Sequence, residues 1–258
     1  MSTQKRRRSK RNRINQDIKF LENVISENGK ATENKRIKKW SKYDIINLKA
    51  KTHNQQLMVH EFINNQHICA YGSAGTGKTL MGMYLGFSEL LQENSTIEKI
   101  IIVRSTVPSR DQGFLPGTEE EKKAIYELPY KDMCAFLFGK ANTYDDMKES
   151  GKIQFVSTSY VRGLTWDNSI IIVDELQNLT FQEIDSIFTR IGKNSRMILL
   201  GDIKQTDLCK KNDQSGMSNF IQIIKNIKEF SMIEFTPLDI LRSNIVKKYL
   251  IIKEEMGL

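Results

Sequence analysis

The sequence predicts an α/β protein built on a parallel sheet with helices on both faces. Beyond residue 53, short apolar runs rich in β-branched residues alternate with segments of helical periodicity, the pattern of strands joined by helical crossovers. The run Ile-Ile-Ile-Val at residues 170–173 has no polar alternation, which is typical of a central strand buried on both faces. The 258 residues are enough for one such domain with an appendage, or for two small domains.

The apolar runs predict strands at residues 67–71, 99–104, 153–157, 169–174, 196–201 and 232–235. The segments of helical periodicity predict helices at residues 54–64, 78–92, 181–191, 218–227 and 245–255. The stretch 108–150 contains several residues that interrupt regular structure, among them Gly113, Pro116, Gly117 and Pro129. We therefore expect that stretch to protrude from the domain or to line a site.

Positive charge is concentrated at the N-terminus. The whole chain carries a net charge of +8, but the first 53 residues carry +11 and the remaining 205 carry −3. Seven basic residues lie within residues 5–13, and such a block repels itself and stays solvated. It is either an arm that binds nucleic-acid phosphates or a disordered tail that aids solubility or localisation. We expect a basic, largely flexible extension over residues 1–52, with Trp40 and Tyr43 docked on the main domain over residues 53–258.

The composition excludes several classes of protein. No apolar run approaches the roughly 20 residues of a membrane-spanning helix, so we expect neither an integral membrane protein nor a membrane partner. The basic N-terminus is not followed by the apolar stretch of a secretory signal. Cys69, Cys134 and Cys209 are too few and too scattered for a disulfide framework or a paired-cysteine metal site. We therefore expect a reducing, cytoplasmic location.

The segment Gly72-Ser73-Ala74-Gly75-Thr76-Gly77-Lys78-Thr79 has the full spacing of a phosphate-binding loop, G-x-x-x-x-G-K-[ST]. A predicted strand precedes it and a predicted helix follows it, which is the context that the motif requires. Its glycines let successive backbone amides turn toward a phosphate, and the helix N-terminus adds positive potential. Lys78 is expected to reach the β- and γ-phosphates of ATP, and the Thr79 hydroxyl is expected to ligate Mg²⁺.

Two acidic residues follow the buried strand at residues 169–173. Ligands of open α/β sheets bind at the carboxyl ends of the strands, so Asp174 is expected to hold Mg²⁺. Glu175 is placed to polarise the water that attacks the γ-phosphate, which favours hydrolysis over transfer of the phosphoryl group to a substrate. The alternative is that Glu175 is an ordinary solvated loop acid.

Four other polar residues are candidates for the site. Gln205 follows the strand at residues 196–201 and is either a sensor of the γ-phosphate or a polar turn residue. Arg242 and Arg190 are suited to stabilising phosphate charge, although a surface ion pair is an equally good interpretation of either. Gln55, ahead of the first strand, has the hydrogen-bonding groups to read an adenine edge.

Together these motifs resemble the PhoH family of P-loop ATPases, which in turn is similar to the ATP-binding half of superfamily-one helicases. The resemblance covers about residues 52–250. The motifs that carry it are Asn54-Gln55, the loop at 72–79, Val103-Arg104, GFLPG at 113–117, YVRGLT at 160–165, VDELQN at 173–178, TRIG at 189–192, GDIKQTDL at 201–208, Ser215-Gly216 and DILR at 239–242. The GFLPG and GDxxQxDL segments are far more specific than the loop alone.

The resemblance implies a RecA-like P-loop NTPase fold, ATP and Mg²⁺ as cofactors, and hexameric rings that bind or unwind RNA. It implies that Gln55 reads adenine, that Asp174 and Glu175 form the Walker B pair, and that Gln205 is the sensor. It further implies that Arg242, with Arg190 as a second candidate, acts on ATP bound to a neighbouring subunit. Three departures are Ser105 for Pro, Leu176 for Ala, and Ser243-Asn244 for His-Pro; the last puts the role of the C-terminal segment in doubt.

Three functions remain open. The first is an ATPase that acts on RNA or single-stranded DNA; with one phosphate loop in the chain, motor action would need a second subunit in a homo-oligomeric ring. The second is a nucleotide-gated protein that binds nucleic acid or a partner with little turnover. The third is a small-molecule kinase, which Glu175, Gln205 and the lack of a recognisable arginine-rich lid disfavour.

Overall fold

A computed structural model of the chain describes residues 40–106, 119–202 and 216–256. Its strands are β1 (His67–Gly72), β2 (Lys99–Arg104), β3 (Ile153–Ser157), β4 (Ser169–Val173), β5 (Arg196–Gly201) and β6 (Phe230–Phe235). Its helices are α1 (His53–Ile63), α2 (Lys78–Leu90), α3 (Glu119–Phe138), α4 (Thr143–Glu149), α5 (Phe181–Phe188), α6 (Met217–Ile224) and α7 (Asn244–Glu255). The basic block, the GFLPG segment and Gln205 lie outside the described residues.

The six strands form one parallel sheet in the order β3-β2-β4-β5-β1-β6. All six predicted strands are present, and the predicted α/β fold is confirmed. Because every strand runs the same way, the loops after β1, β4, β5 and β6 leave the same edge of the sheet. In open α/β sheets that edge is where ligands bind.

The central strand β4 shows why the sheet is covered on both faces. Successive side chains of a strand point to opposite faces, and in β4 all five residues are buried. Ile170 and Ile172 join a core with α1, α2, α3 and α4, whereas Ile171 and Val173 join a second core with α5 and α6. The unbroken apolar run read from the sequence is thus the consequence of helices on both sides.

The segment before α1 packs on the domain. Trp40, Ile45, Leu48 and Ala50 contact the core on the α1–α4 side, and the Trp40 ring meets the Phe138 ring edge-on, with centroids 5.4 Å apart. Tyr43, expected to dock with Trp40, is instead 84% exposed. The compact unit therefore begins at Trp40, and the nature of the extension before it stays a prediction.

The least regular part of the sequence contains two helices that the pattern did not predict, α3 and α4. Helix α3 continues through Pro129, a residue that normally interrupts helices because it has no amide hydrogen and clashes with the preceding turn. Tyr130, Cys134 and Leu137 on this helix are fully buried, so tertiary packing outweighs the local preference. Within the described ranges, no helix combines the length and apolar character needed to cross a membrane.

Candidate nucleotide site

The phosphate loop joins β1 to α2 and has the backbone conformation that its glycines allow. Gly72, Gly75 and Gly77 have φ angles of +113°, +72° and +82°, which residues with a side chain rarely adopt. A Cβ atom at Gly72 would collide with the backbone carbonyl of Phe235 on the neighbouring strand. That carbonyl accepts a hydrogen bond of 2.9 Å from the amide of Ser73, so strand β6 fixes where the loop begins.

Lys78 lies inside the loop. Its Nζ donates to the carbonyl oxygens of Gly72 and Ser73, at 2.8 Å and 2.7 Å. Burial lowers the pKa of the Lys78 ammonium, and the carboxylates of Asp202 and Asp174 oppose that shift. The Lys78 ammonium thus adds a positive charge to a loop whose amides already favour anions.

The side chains of Thr79 and Asp174 meet at the start of α2 and the end of β4. Thr79 Oγ1 donates to Asp174 Oδ1 at 3.1 Å, and the hydroxyl of Tyr130 donates to Asp174 Oδ2 at 2.8 Å. Burial raises the pKa of Tyr130 well above its ordinary value, and the Asp174 carboxylate raises it further. The phenol thus stays protonated and holds one carboxylate oxygen, while the other faces the threonine.

Glu175 has a strained backbone. Its φ and ψ angles are +55° and +45°, a left-handed conformation that costs a residue with a side chain roughly 1–2 kcal/mol. Its Oε2 accepts a 2.6 Å hydrogen bond from Nε2 of Gln177. The Oε1 of Gln177 in turn accepts from the amide of Asp202 at 2.8 Å. Gln177 therefore connects the carboxylate after β4 with the first residue after β5.

Gln55 connects the phosphate loop with the segment before α1. Its Nε2 donates to the Thr76 carbonyl at 2.9 Å, and its Oε1 accepts from the Lys51 amide at 2.8 Å. The side chain is buried but still lines the cavity described below. The structure thus gives Gln55 a role in supporting the loop, while its contact with adenine stays a prediction.

The C-terminal segment returns to the same loop. The Leu241 amide donates to the Gly75 carbonyl at 3.1 Å, and Arg242 Cγ lies 3.0 Å from where a Cβ of Gly75 would be. Asp239 anchors this segment, because its Oδ2 accepts from Asn54 Nδ2 at 2.7 Å and from the Thr236 amide at 2.9 Å. Arg242 is therefore next to the phosphate loop of its own chain, and its action on ATP bound to a neighbouring subunit stays a prediction.

Arg190 is not part of this site. Its Nε donates to the Ser186 carbonyl at 3.2 Å and its Nη1 donates to the Leu164 carbonyl at 3.4 Å. The Arg190 carbonyl accepts from the amide of Trp166, just ahead of β4. Arg190 thus lies toward the amino ends of the strands, whereas the loop, Asp174 and Glu175 lie at the carboxyl ends.

A cavity of about 760 Å³ joins these groups. We call its first part the phosphate end; it is lined by the loop, Asp174, Glu175 and Arg242. We call its second part the α3 end; it is lined by Leu48, Lys49, Lys51, Gln55, Pro129, Asp132, Met133 and Phe136. The stretch 108–150, expected to protrude or to line a site, therefore lines this site through α3.

Two residues that contact the acidic pair were missed by sequence reasoning. Tyr130 is 44 positions from Asp174 and has no spacing that marks it, whereas Gln177 lies in the VDELQN motif but had no assigned role. Arg104 belongs to a motif but had no assigned role. Its guanidinium lies near Tyr130 and the acidic pair, and although burial opposes the charge, these neighbours raise the pKa of Arg104 overall.

The fold and this site define the class of protein: a P-loop NTPase fold with a phosphate loop after β1 and an acidic pair after β4. A family model described as PhoH-like protein matches residues 47–253. The chain therefore belongs to the PhoH family.

Individual relatives agree. A PhoH-like protein of Bacillus subtilis (strain 168) is 35% identical over 202 residues, which are 78% of this chain and 62% of that protein. Protein PhoH of Escherichia coli (strain K12) is 32% identical over 189 residues, or 72% of this chain and 52% of that protein. The chain thus spans only about half to three fifths of the length of these relatives.

Among solved structures, the Pif1 helicase from Candida albicans aligns with 81% of this chain and 44% of its own, at 13% identity and a TM-score of 0.44. A likeness of this size does not support a conclusion about activity. Within the described residues, no group of three or more His, Cys, Asp or Glu side chains is arranged to hold a metal ion. Magnesium that arrives with a nucleotide needs only one or two protein ligands, which Thr79 and Asp174 suit.

Proposed function

We propose that this chain binds ATP with Mg²⁺ and hydrolyses it, and that hydrolysis is coupled to RNA or single-stranded DNA. The observation that carries the proposal is the arrangement of Lys78, Thr79, Asp174 and Glu175 around one cavity. A glycine loop with a lysine binds phosphates, and a threonine beside an aspartate offers the oxygen ligands that Mg²⁺ prefers. Bound Mg²⁺ would neutralise charge on the β- and γ-phosphates.

The roles of the protein groups follow from their positions. The loop amides and Lys78 hold the β- and γ-phosphates, while Thr79 and Asp174 hold the metal. Glu175 accepts hydrogen bonding from the attacking water and thereby increases the nucleophilicity of that water. Gln205, outside the described residues, stays the proposed sensor of the γ-phosphate. Arg242 is positioned to stabilise phosphate charge on the nucleotide of its own chain.

The nucleic-acid part of the proposal rests on the family resemblance and on the basic N-terminal extension with its net charge of +11. Such an arm supplies salt-dependent, sequence-independent affinity for phosphates. A homo-oligomeric ring, hexameric by the same resemblance, would gather several arms and multiply weak contacts. In such a ring Arg190 is the second candidate, beside Arg242, to act on a neighbour's ATP. We place this activity in the cytoplasm, in keeping with the free thiols of Cys69 and Cys134.

The experiment is ATP hydrolysis with Mg²⁺, measured alone and with single-stranded RNA or DNA, with the oligomeric state determined in the same buffer. Lys78→Ala is expected to abolish nucleotide binding. Glu175→Gln is expected to keep ADP binding but to lower kcat by about 10²–10⁴-fold. Stimulation of the wild-type rate by either nucleic acid supports the coupling. Equal rates for the wild type and both variants would refute hydrolysis at this site.

One observation favours a second function, a nucleotide-gated binding protein with little turnover. The Glu175 carboxylate accepts from Gln177, and Lys78 donates to two carbonyls of its own loop. These contacts within the protein compete with the contacts that the two groups would make to water and phosphate. Tight ATP binding without measurable turnover, in the presence and absence of nucleic acid, would support this second function.

A further inference from the structure

The α3 end of the cavity has a surface that the phosphate chemistry does not use. Four residues of α3, at positions 129, 132, 133 and 136, line the cavity. Their spacing of three, one and three residues places them on one face of the helix. The helix is fixed by its other face, where Tyr130, Cys134 and Leu137 are fully buried. The lining face is thus held rigidly against the rest of the domain.

On this face Phe136 is 56% exposed although it lines a cavity. Met133 is half-buried beside it, and Leu48 adds a further apolar side chain to the lining. An aromatic ring with aliphatic neighbours in a concave site is suited to contact with a flat, apolar ligand face. Ligand sites are typically apolar surfaces with a few polar groups, and Asp132 and the Gln55 amide supply such groups here.

The α3 end is structurally tied to the phosphate end. Gln55 bonds to Thr76 in the loop and to Lys51 in the segment beside α3. The Ile46 amide donates to the Leu137 carbonyl at 2.8 Å, which ties the same segment to the end of α3. A ligand with phosphates in the loop and a planar group attached to them would therefore meet a preformed surface.

We infer that the α3 face with Met133 and Phe136, together with Leu48, binds the purine base of a nucleotide whose phosphates lie in the loop. The inference rests on the proposed nucleotide binding and adds a specificity surface to it. Phe136 stacks on the base, and Gln55 lies where the loop and this surface join. Because the surface recognises the base, removal of this surface weakens the binding of nucleotides but leaves the binding of free phosphates unchanged.

The test measures equilibrium binding of ADP and of inorganic pyrophosphate, both with Mg²⁺, to the full chain. Phe136→Ala is expected to weaken the binding of ADP about tenfold, which corresponds to about 1.4 kcal/mol of binding free energy. Pyrophosphate affinity is expected to stay unchanged, and Phe136→Tyr is expected to keep ADP affinity. The matched control is Leu128→Ala, because Leu128 lies on the same helix with 54% exposure but does not line the cavity.

A comparison of bases sharpens the test. The wild type is expected to bind ADP more tightly than UDP, because a purine offers a larger stacking surface, and Phe136→Ala should reduce that preference. ADP affinity within twofold of wild type in Phe136→Ala would overturn the inference, as would equal losses of ADP and pyrophosphate. A wild type that binds no ADP overturns nucleotide binding as well. ADP binding with the expected Phe136 pattern but no ATP turnover supports the base site and refutes only hydrolysis.

Discussion

The two ends of the cavity are built in different ways. The phosphate end consists mainly of eight contiguous residues, 72–79, whose conformation follows from three glycines with positive φ. The α3 end is assembled from the segment before α1 and from a helix some 80 positions further along the chain. A contiguous loop can bind phosphates through its own backbone amides, whereas a surface for a base requires side chains brought together by folding. The phosphate end is therefore a local structure, and the α3 end is a tertiary one.

The largest effect that would sharpen this comparison concerns Arg242, which reaches the loop from the far end of the chain. Arg242→Ala is expected to lower kcat by at least about 10²-fold, because one preorganised donor to transition-state charge is lost. The loss should not depend on protein concentration. A mixture of Arg242→Ala and Lys78→Ala chains should stay inactive after subunit exchange, because each chain then lacks one part of its own site.

Arg190→Ala is the matched control, since Arg190 lies away from the phosphate loop of its own chain. Its effect on kcat should be absent in a monomer and present only if a ring places Arg190 at a neighbour's ATP. Recovery of activity in the mixture of Arg242→Ala and Lys78→Ala would show that Arg242 acts between subunits after all.

Asp239 joins the C-terminal segment, which contacts the phosphate loop, to α1, which carries Gln55. Substitution of Asp239 should therefore affect both ends of the cavity together. Burial would raise the pKa of Asp239, but hydrogen bonds from Thr52, Thr236 and Asn54 outweigh it and lower that pKa. The ionised Asp239 carboxylate therefore stabilises the fold at pH values above its ordinary pKa of 3.8. This stabilisation is lost as the pH falls through the lowered pKa. Asp239→Asn is expected to reduce the free energy of unfolding by about 1–3 kcal/mol. Denaturant unfolding at neutral pH measures the loss, and an unchanged midpoint would contradict it.

Tyr130 tests whether the two ends are independent, because it belongs to α3 and contacts Asp174. Tyr130→Phe keeps the ring in the core but removes the hydrogen bond to Asp174 Oδ2. We expect the Mg²⁺ concentration for half-maximal ATPase activity to rise about tenfold, within the range seen when a partner of a metal ligand is removed. A purely structural role would lower stability and leave the Mg²⁺ dependence unchanged.

Substitution of His67 is expected to give the smallest effect. It serves as a comparison because His67 is remote from both ends of the cavity. It lies at the amino end of β1, where its Nδ1 accepts from the Met197 amide at 3.0 Å. Burial lowers the pKa of His67, Arg196 lowers it further, and Glu229 opposes them. The neutral ring therefore stabilises the fold above the ordinary pKa of 6.5, and this contribution is lost as the pH falls below it.

Thermal unfolding at about pH 7.5 and about pH 5.5 should show this loss of stability in the wild type. The difference between the two pH values should be smaller in His67→Gln, which has no group that titrates there. ADP affinity should be the same in His67→Gln and wild type, since the residue touches neither end of the cavity. An equal pH dependence in both proteins would exclude His67 as the cause.

Helix α3, which the sequence did not predict, shows the limit of arguments from the local sequence pattern. Residues 119–123 are Glu and Lys, which favour a helix, but Pro129 lies inside the segment and predicts an interruption there. The helix forms because Tyr130, Cys134 and Leu137 find a place in the core, and the free energy of burying them exceeds the cost of a proline within the helix. That compensation depends on the rest of the fold.

Three features were determined by sequence alone: the six strands, the phosphate loop and the acidic pair after β4. Each follows from neighbouring residues, since burial on both faces requires an unbroken apolar run and positive φ angles require glycine. Only the tertiary structure decided that Tyr130 holds Asp174, that Arg242 faces its own loop, and that Phe136 lines the cavity. These contacts join residues far apart in the chain, and their geometry exists only once the sheet order and the packing of α3 are set.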